Sequence, residues 1–277
     1  MSALLSQRVQ RSFSRSFHSY HEAACPQARI ADLLVGALAR AGAPARFGSV
    51  LELGCGTGHL TARLQRQFEC PQMTLNDLSP AACQTARQYG ATFLCGDALA
   101  LDWPEMPSLI ASASMIQWLP DPLALVRRAA RALPEGGWLA LSGFGPGHFR
   151  ELSALGSQAQ APGLCPRHAL AAAVAPDLDV LACGEDLLPL YFPSPREVLR
   201  HLRRTGVNGQ ARQNWTRARL ACFEAAYRQQ FGTAQGVSLT YQAVWIVARK
   251  PVGAAPIRKS ASDGAASPCG HVRHRGP

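Results

Sequence analysis

Gly54, Gly56 and Gly58 stand at every second position after the apolar run Val50-Leu51-Glu52-Leu53, with Cys55 and Thr57 between them. Glycine has no Cβ and tolerates positive φ, so such a loop lets the backbone pass close to a ligand. A helix beginning near His59 would aim its free N–H groups at the same place. A second apolar run, Met73-Thr74-Leu75-Asn76, ends in Asp77-Leu78. An acid about 20 residues beyond a glycine loop can accept hydrogen bonds from both hydroxyls of a ribose. A third run, Ala91 to Cys95, leads into Gly96-Asp97-Ala98, and a fourth, Leu109 to Ala113, delivers Ser114-Met115-Ile116-Gln117-Trp118. His59 stands where the dinucleotide fingerprint needs its third small residue, so the loop is not that fingerprint.

These residues need a scaffold that brings the ends of several strands together. Residues 49–144 alternate short β runs with helical stretches, the pattern of a doubly wound parallel sheet. Such sheets bind ligands beyond the carboxyl ends of their strands. Pro26 opens an amphipathic helix with Ile30, Leu33, Leu34, Ala37 and Leu38 on one face, and Gly42 ends it. Ser79-Pro80 and Asp121-Pro122 each read as a cap followed by the first helical residue. Ser194-Pro195-Arg196-Glu197 is a capping box. The alternation stops after Phe144, and residues 145–235 are expected to form a helical lid inserted between sheet strands. Val237 to Val247 is the last strand.

The glycine loop resembles that of class I S-adenosylmethionine-dependent methyltransferases. That resemblance implies a Rossmann-like α/β fold with a mostly parallel seven-stranded sheet. It places Glu52, Gly54, Cys55, Gly56, Gly58, Asp77, Leu78, Asp97, Ala98, Met115 and Gln117 on the cofactor, with Asp97 at the adenine amino group. Further segments carry a closer likeness: Ser12 to Tyr20, Phe144-Gly145-Pro146-Gly147-His148-Phe149-Arg150-Glu151, Pro195 to Leu202, and Leu239-Thr240-Tyr241. With Leu75 to Pro80 and Ile116-Gln117-Trp118, they resemble the malonyl-acyl-carrier-protein O-methyltransferases that begin biotin synthesis. The likeness spans about residues 8–249. It implies that Tyr20 and Arg150 grip a malonyl carboxylate presented on acyl carrier protein or coenzyme A. Arginine suits a carboxylate through its planar fork. A tyrosine hydroxyl can donate one hydrogen bond while its ring closes the pocket. Trp118 lines the transfer pocket or packs in the core. The alternative is an enzyme that esterifies a free small acid, of the aconitate type.

The 277 residues, 47% of them hydrophobic, suffice for one large domain over 1–250 with an N-terminal segment at 8–24. Residues 251–277 are rich in Gly, Ala, Pro and Ser and read as a disordered basic tail. No apolar run reaches the ~18 residues of a membrane helix, and Ala3-Leu4-Leu5 is too short for a secretory signal. A cytoplasmic monomer without membrane contact is expected. Nine cysteines show no C-x-x-C and no zinc spacing, so neither a disulfide nor a metal is expected. The net charge of +10 is uneven. Arg196, Arg200, Arg203, Arg204, Arg212, Arg217, Arg219 and Arg228 face only Glu197 and Glu224. That stretch is a solvated helix face or a dock for the acidic carrier protein. A nucleic-acid enzyme is disfavoured, because the usual Asn/Asp-Pro-Pro-aromatic motif is replaced by Ser114 to Trp118.

Overall fold

The computed structural model describes residues 25–157, 161–205 and 216–253. Tyr20 with the whole 8–24 segment, Arg212, and all but the first three residues of the expected tail lie outside them. Helix α1 (Cys25–Arg40) buries Ile30, Ala31, Leu34, Val35, Ala37 and Leu38, the face expected from their spacing. It closes at Gly42, whose φ of 84° an L-residue adopts only with strain. The sheet strands follow: β1 (Ser49–Leu53), β2 (Gln72–Asp77), β3 (Thr92–Cys95), β4 (Leu109–Ser112) and β5 (Trp138–Phe144). All five run parallel. Helices α2 (His59–Gln67), α3 (Cys83–Gln88) and α4 (Pro122–Ala132) make the crossovers.

Beyond β5 come α5 (Arg150–Ala154), α6 (Arg167–Val174), β6 (Asp179–Phe192), α7 (Pro195–Arg204), α8 (Arg217–Phe231), the two-residue β7 (Gly232–Thr233) and β8 (Gly236–Arg249). The order across the sheet is β3-β2-β1-β4-β5-β8-β6, with β7 paired to β8 as a short hairpin arm. Only β8 runs against its neighbours. The architecture is the expected doubly wound sheet, with seven long strands and the small β7 as an eighth.

The 145–235 range is not lid throughout. Fourteen of its residues, 179–192, are the edge strand β6. Gly184, Glu185, Asp186 and Pro189 hide the strand pattern, and an edge strand tolerates them because one rim of its backbone makes no ladder bonds. What covers the sheet there is α5 and α6 before β6, and α7 and α8 after it.

Alternating side chains divide the core. Val50, Leu64, Leu75 and Leu109 pack with Leu34 and Leu38 of α1 on one face. Leu51, Leu53, Ile110, Leu139 and Leu141 pack with Leu125, Val126 and Ala129 of α4 on the other. A third cluster joins α1 to the late elements through Ile30, Phe144, Phe149, Leu188, Val198, Leu202, Tyr227 and Tyr241. Caps fix the helix starts. Asp121 accepts from Ala124 N at 3.1 Å. Ser194 accepts from Glu197 N, but Glu197 turns to Arg200 rather than back to the cap, so only half of the expected box forms.

Lys250 closes the described fold. Its Nζ donates to the carbonyls of Leu133 (2.8 Å), Arg131 (3.3 Å) and Ala130 (3.5 Å), the free end of α4. A cation there meets the negative end of the helix dipole. Lys250→Met is expected to lower stability by about 1 kcal/mol, read as a shifted urea midpoint with an unchanged slope. An unshifted midpoint would remove Lys250 from this role.

Candidate functional site

The chain order reverses between β1 and β4, and a cavity opens beyond the carboxyl ends of these strands. Nine of the sequence-predicted residues line it: Glu52, Gly54, Cys55, Gly56, Asp77, Leu78, Asp97, Ala98 and Met115, with Gly96 beside them and Gly58 just behind the loop, at the start of α2.

The end of β2 shapes the glycine loop. Gly54 N and Cys55 N both donate to Asn76 O, at 2.8 and 3.0 Å. Gly56 N donates to Asp77 Oδ2 at 2.9 Å, and Ser79 N to Asp77 Oδ1 at 2.7 Å. The Asn76 amide donates to Leu94 O and Gly96 O, both at 3.0 Å, which fixes the exit of β3. Gly54 has φ 72°, and a Cβ there would lie 2.3 Å from the Met115 side chain. Gly56 has φ 49°, and a Cβ there would meet no atom within 4 Å, so the loop is bare where it borders the cavity.

The two inner acids hold their protons more tightly than usual. Burial pushes Glu52 up to about 8, helped by the neighbouring Asp77 charge and opposed by the Thr61 hydroxyl bonded to it at 2.8 Å. Burial also raises Asp77, against its backbone hydrogen bonds. Asp97 caps its own turn, accepting from Leu99 N at 3.0 Å. The Ala98 carbonyl takes Trp103 Nε1 and Arg128 Nη1, both at 2.9 Å, and Arg128 stacks on the Trp103 ring at 4.1 Å. Arg128 therefore stiffens this wall from α4, a role that its exposed-looking sequence position did not signal.

Three wall residues carry buried oxygens with no hydrogen-bond partner among the described residues: Gln27 Oε1, Thr57 Oγ1 and Ser114 Oγ. Buried polar atoms are nearly always paired, so such a group on a cavity wall marks where a polar ligand sits. Gln27 comes from α1, and nothing in the glycine-loop pattern pointed to it. Ser114 holds φ 54°, uncommon for serine, which turns the strand end into the cavity.

Gln117 does not reach the cavity. Its amide turns inward and donates to Ser114 O, and the residue is 1% exposed. In the tight turn Ile116–Trp118, adjacent side chains point different ways, so Trp118 lines the cavity in its place.

Arg150 stands apart from the cavity wall. It opens α5, its side chain is 61% exposed, and its Nε lies 3.8 Å from Glu151 Oε1. The segment carrying it is anchored on β8 where β5 has ended. Gly145 N donates to Gln242 O at 3.0 Å and Phe149 N to Thr240 O at 2.8 Å. The buried Glu151 carboxylate continues this ladder, accepting from Thr240 N (2.9 Å), Thr240 Oγ1 (2.5 Å) and Ser238 Oγ (3.3 Å). His148 is stacked between Phe144 and Phe149, with centroids 3.9 and 3.7 Å away. Burial lowers its pKa to about 3, so it is neutral. Tyr20, His18 and His21 are outside the described residues.

Glu151→Ala strands two buried donors and a half-buried one and is expected to cost about 3 kcal/mol. Glu151→Gln should cost under about 1 kcal/mol, because the amide oxygen still accepts from Thr240 N and its NH2 can donate to the hydroxyls. Equal losses in chemical denaturation would mean that charge, not the hydrogen-bond pattern, holds the segment.

Comparison with known proteins agrees with this geometry. Residues 50–137 match a family model described as a methyltransferase domain. The chain is 34% identical over 254 residues to a malonyl-acyl-carrier-protein O-methyltransferase of Bacteroides thetaiotaomicron, covering 86% of this chain and 95% of the relative. A protein of the same name from Bacteroides fragilis is 35% identical over 246 residues, or 87% of this chain. The chain spans about half of that longer relative. Among solved structures, the N-methyltransferase NodS of Bradyrhizobium japonicum, in complex with S-adenosyl-L-homocysteine, aligns with a TM-score of 0.53 at 13% identity, covering 88% of this chain and 100% of its own. The YcgJ protein of Bacillus subtilis aligns with a TM-score of 0.56 at 18% identity, covering 81% and 99%. The structures establish the class I methyltransferase fold, and the sequence kinship extends over nearly the full length of the Bacteroides thetaiotaomicron relative. The chain belongs to the malonyl-acyl-carrier-protein O-methyltransferase family.

Proposed function

We propose that the protein transfers a methyl group from S-adenosylmethionine to the free carboxylate of a malonyl group carried on acyl carrier protein or coenzyme A. The cofactor half of this reading rests on the cavity at the switch point, with its bare glycine loop and three unpartnered wall oxygens. The acceptor half is supported by the activity for which the relatives are named.

The residues suit the cofactor along its whole length. In this reading Asp97 and Ala98 meet the adenine and Asp77 the ribose diol, and all three line the cavity. Both Asp77 oxygens already accept backbone N–H groups, and a carboxylate with about four acceptor sites still has room for a hydroxyl. S-adenosylmethionine supplies a methyl group made electrophilic by a sulfonium.

The acceptor needs no general base. A carboxylic acid of pKa ~4 is already ionised at pH 7, and the neutral, ring-stacked His148 is not placed to serve as one. Catalysis reduces to alignment and the removal of water. In this reading the Arg150 fork leaves its long contact with Glu151 and holds the carboxylate. Tyr20 donates a hydrogen bond to the same group, and Trp118 walls the transfer site. The methyl ester removes a charge that apolar elongation channels would exclude, which fits a primer extended toward a pimeloyl chain for biotin in the cytoplasm. Arg203, Arg204 and Arg217 are exposed and have no ion-pair partner among the described residues, whereas Arg196 and Arg228 share Glu224 and Arg200 takes Glu197. The free arginines on α7 and α8 offer the acidic carrier protein a docking face that salt would weaken.

The test is transfer of labelled methyl to malonyl-acyl carrier protein, malonyl-coenzyme A and free malonate in parallel. Base-labile label on a thioester-bound malonyl group is expected. Arg150→Ala should lose at least about a hundredfold in rate, a loss of the size that removing a charge-assisted grip produces, with cofactor affinity unchanged. Label on free malonate alone would shift the reading to a small-acid enzyme.

Glu52 gives a second test. It is largely protonated near pH 7 in the ligand-free pocket, and the cofactor's positive charges favour its ionised form. Binding therefore releases a proton. Affinity should tighten as pH rises from 6 toward 8, by up to about tenfold per unit. Asp77, the adjacent acid, stays in place in Glu52→Gln, which should flatten the slope. An unaltered slope in that variant would assign the proton elsewhere.

A further inference from the structure

We infer that Gln27, in the first turn of α1, binds the amino-acid end of the cofactor, with its amide oxygen accepting from the α-ammonium. This inference rests on the cofactor reading above and adds to it a residue outside the glycine-loop and strand-end motifs.

The placement follows from how α1 lies beside α2. Arg63 of α2 grips Asp32 of α1 through Nε (2.7 Å) and Nη2 (3.0 Å). At the far end, Arg46, six residues after α1, bridges to Glu69, just after α2. The two helices therefore run in the same direction. Gln27 lies five residues before Asp32, and His59 four before Arg63, or roughly 7 and 6 Å back along the two axes at 1.5 Å per residue. Gln27 thus stands level with the first turn of α2, where the helix N–H groups face the cavity. Gln27, Thr57, His59 and Leu60 all line the cavity, and Asp97 and Ala98 line it from the loop after β3, two strands away from β1.

The chemistry follows from what Gln27 lacks. It is 7% exposed, on the same helix face as the apolar Ile30, Ala31 and Leu34, and its Oε1 has no partner among the described residues. A packing role would suit leucine or methionine better, because a buried amide oxygen without a donor is destabilising. The amide must therefore meet a donor that arrives with the ligand. With adenine and ribose assigned to Asp97, Ala98 and Asp77, the part of S-adenosylmethionine left for this end is the aminobutyrate chain. Its ammonium is a strong donor, and Glu52, on the same wall, supplies the complementary negative charge once ionised.

Two ligands separate this role from packing. S-adenosylhomocysteine carries the amino-acid end, and 5′-methylthioadenosine keeps the nucleoside and sulfur without it. Titration calorimetry of the full chain with each would compare the wild type with Gln27→Ala and the near-isosteric Gln27→Met. Both variants should bind S-adenosylhomocysteine about tenfold more weakly, the size of one hydrogen bond to a charged group. Their affinity for 5′-methylthioadenosine should stay within about twofold, and the ligand-free melting temperature of Gln27→Met should not fall below that of the wild type. Unchanged S-adenosylhomocysteine binding would overturn the assignment, as would an equal loss for both ligands. Failure of the wild type to bind S-adenosylhomocysteine would instead overturn the cofactor reading itself.

Discussion

The cavity depends on the way the end of β2 holds the glycine loop. A loop that must stay bare to admit a ligand cannot stabilise itself with side chains. Here Asn76 O receives two of its N–H groups and the Asp77 carboxylate a third. The same carboxylate receives Ser79 N, so one buried acid ties the loop after β1 to the turn after β2. Its charge is expensive to bury, and that cost appears as its raised pKa. Fixed partners leave the loop little freedom to lose on binding, which favours affinity through preorganisation.

A similar economy governs the second half of the molecule. β8 is longer than its partner β5, and its surplus edge would be an open row of polar groups. The Phe144–Glu151 segment covers that edge, first with backbone and then with the Glu151 carboxylate. The aromatic stack of Phe144, His148, Phe149 and Tyr241 fills the space behind it. Arg150 stays exposed between two anchored neighbours. That is a suitable state for the carboxylate-holding role proposed for it.

Much of this was legible in the residues. Gly54 to Gly58, Asp77 and Asp97 recur in register with apolar runs, and the fold places them together because parallel strands end on one side. The Pro26 helix and its apolar face were legible for the same reason of periodicity. Other features depend on long-range packing and leave no local trace. Edge strand β6 was obscured by Gly184 and Pro189, which are tolerable only because the strand has one neighbour. Gln117 turns inward while Trp118 lines the cavity, a choice between neighbours that the sequence left open because the orientation of a three-residue turn is set by tertiary contacts. Gln27 and Arg128 act on the cavity from helices α1 and α4, at distances along the chain that no motif spans. The use of Glu151 as a strand partner could not be read before β8 was known to outrun β5.

The position of β8 has a consequence for how the chain assembles. It is the last of the described strands to be made, yet it lies between β5 and β6. The first five strands contact one another in near sequence order, so they can form as the chain emerges from the ribosome. Among the described strands β6 pairs only with β8, and β5 keeps one naked flank until residues 243–249 arrive. Synthesis therefore passes through a stage with a finished ligand-binding half, an exposed apolar strand edge and about a hundred residues still without a place in the sheet. During that interval the nascent chain is most vulnerable to sticking to itself or its neighbours, and the arrival of one strand ends it.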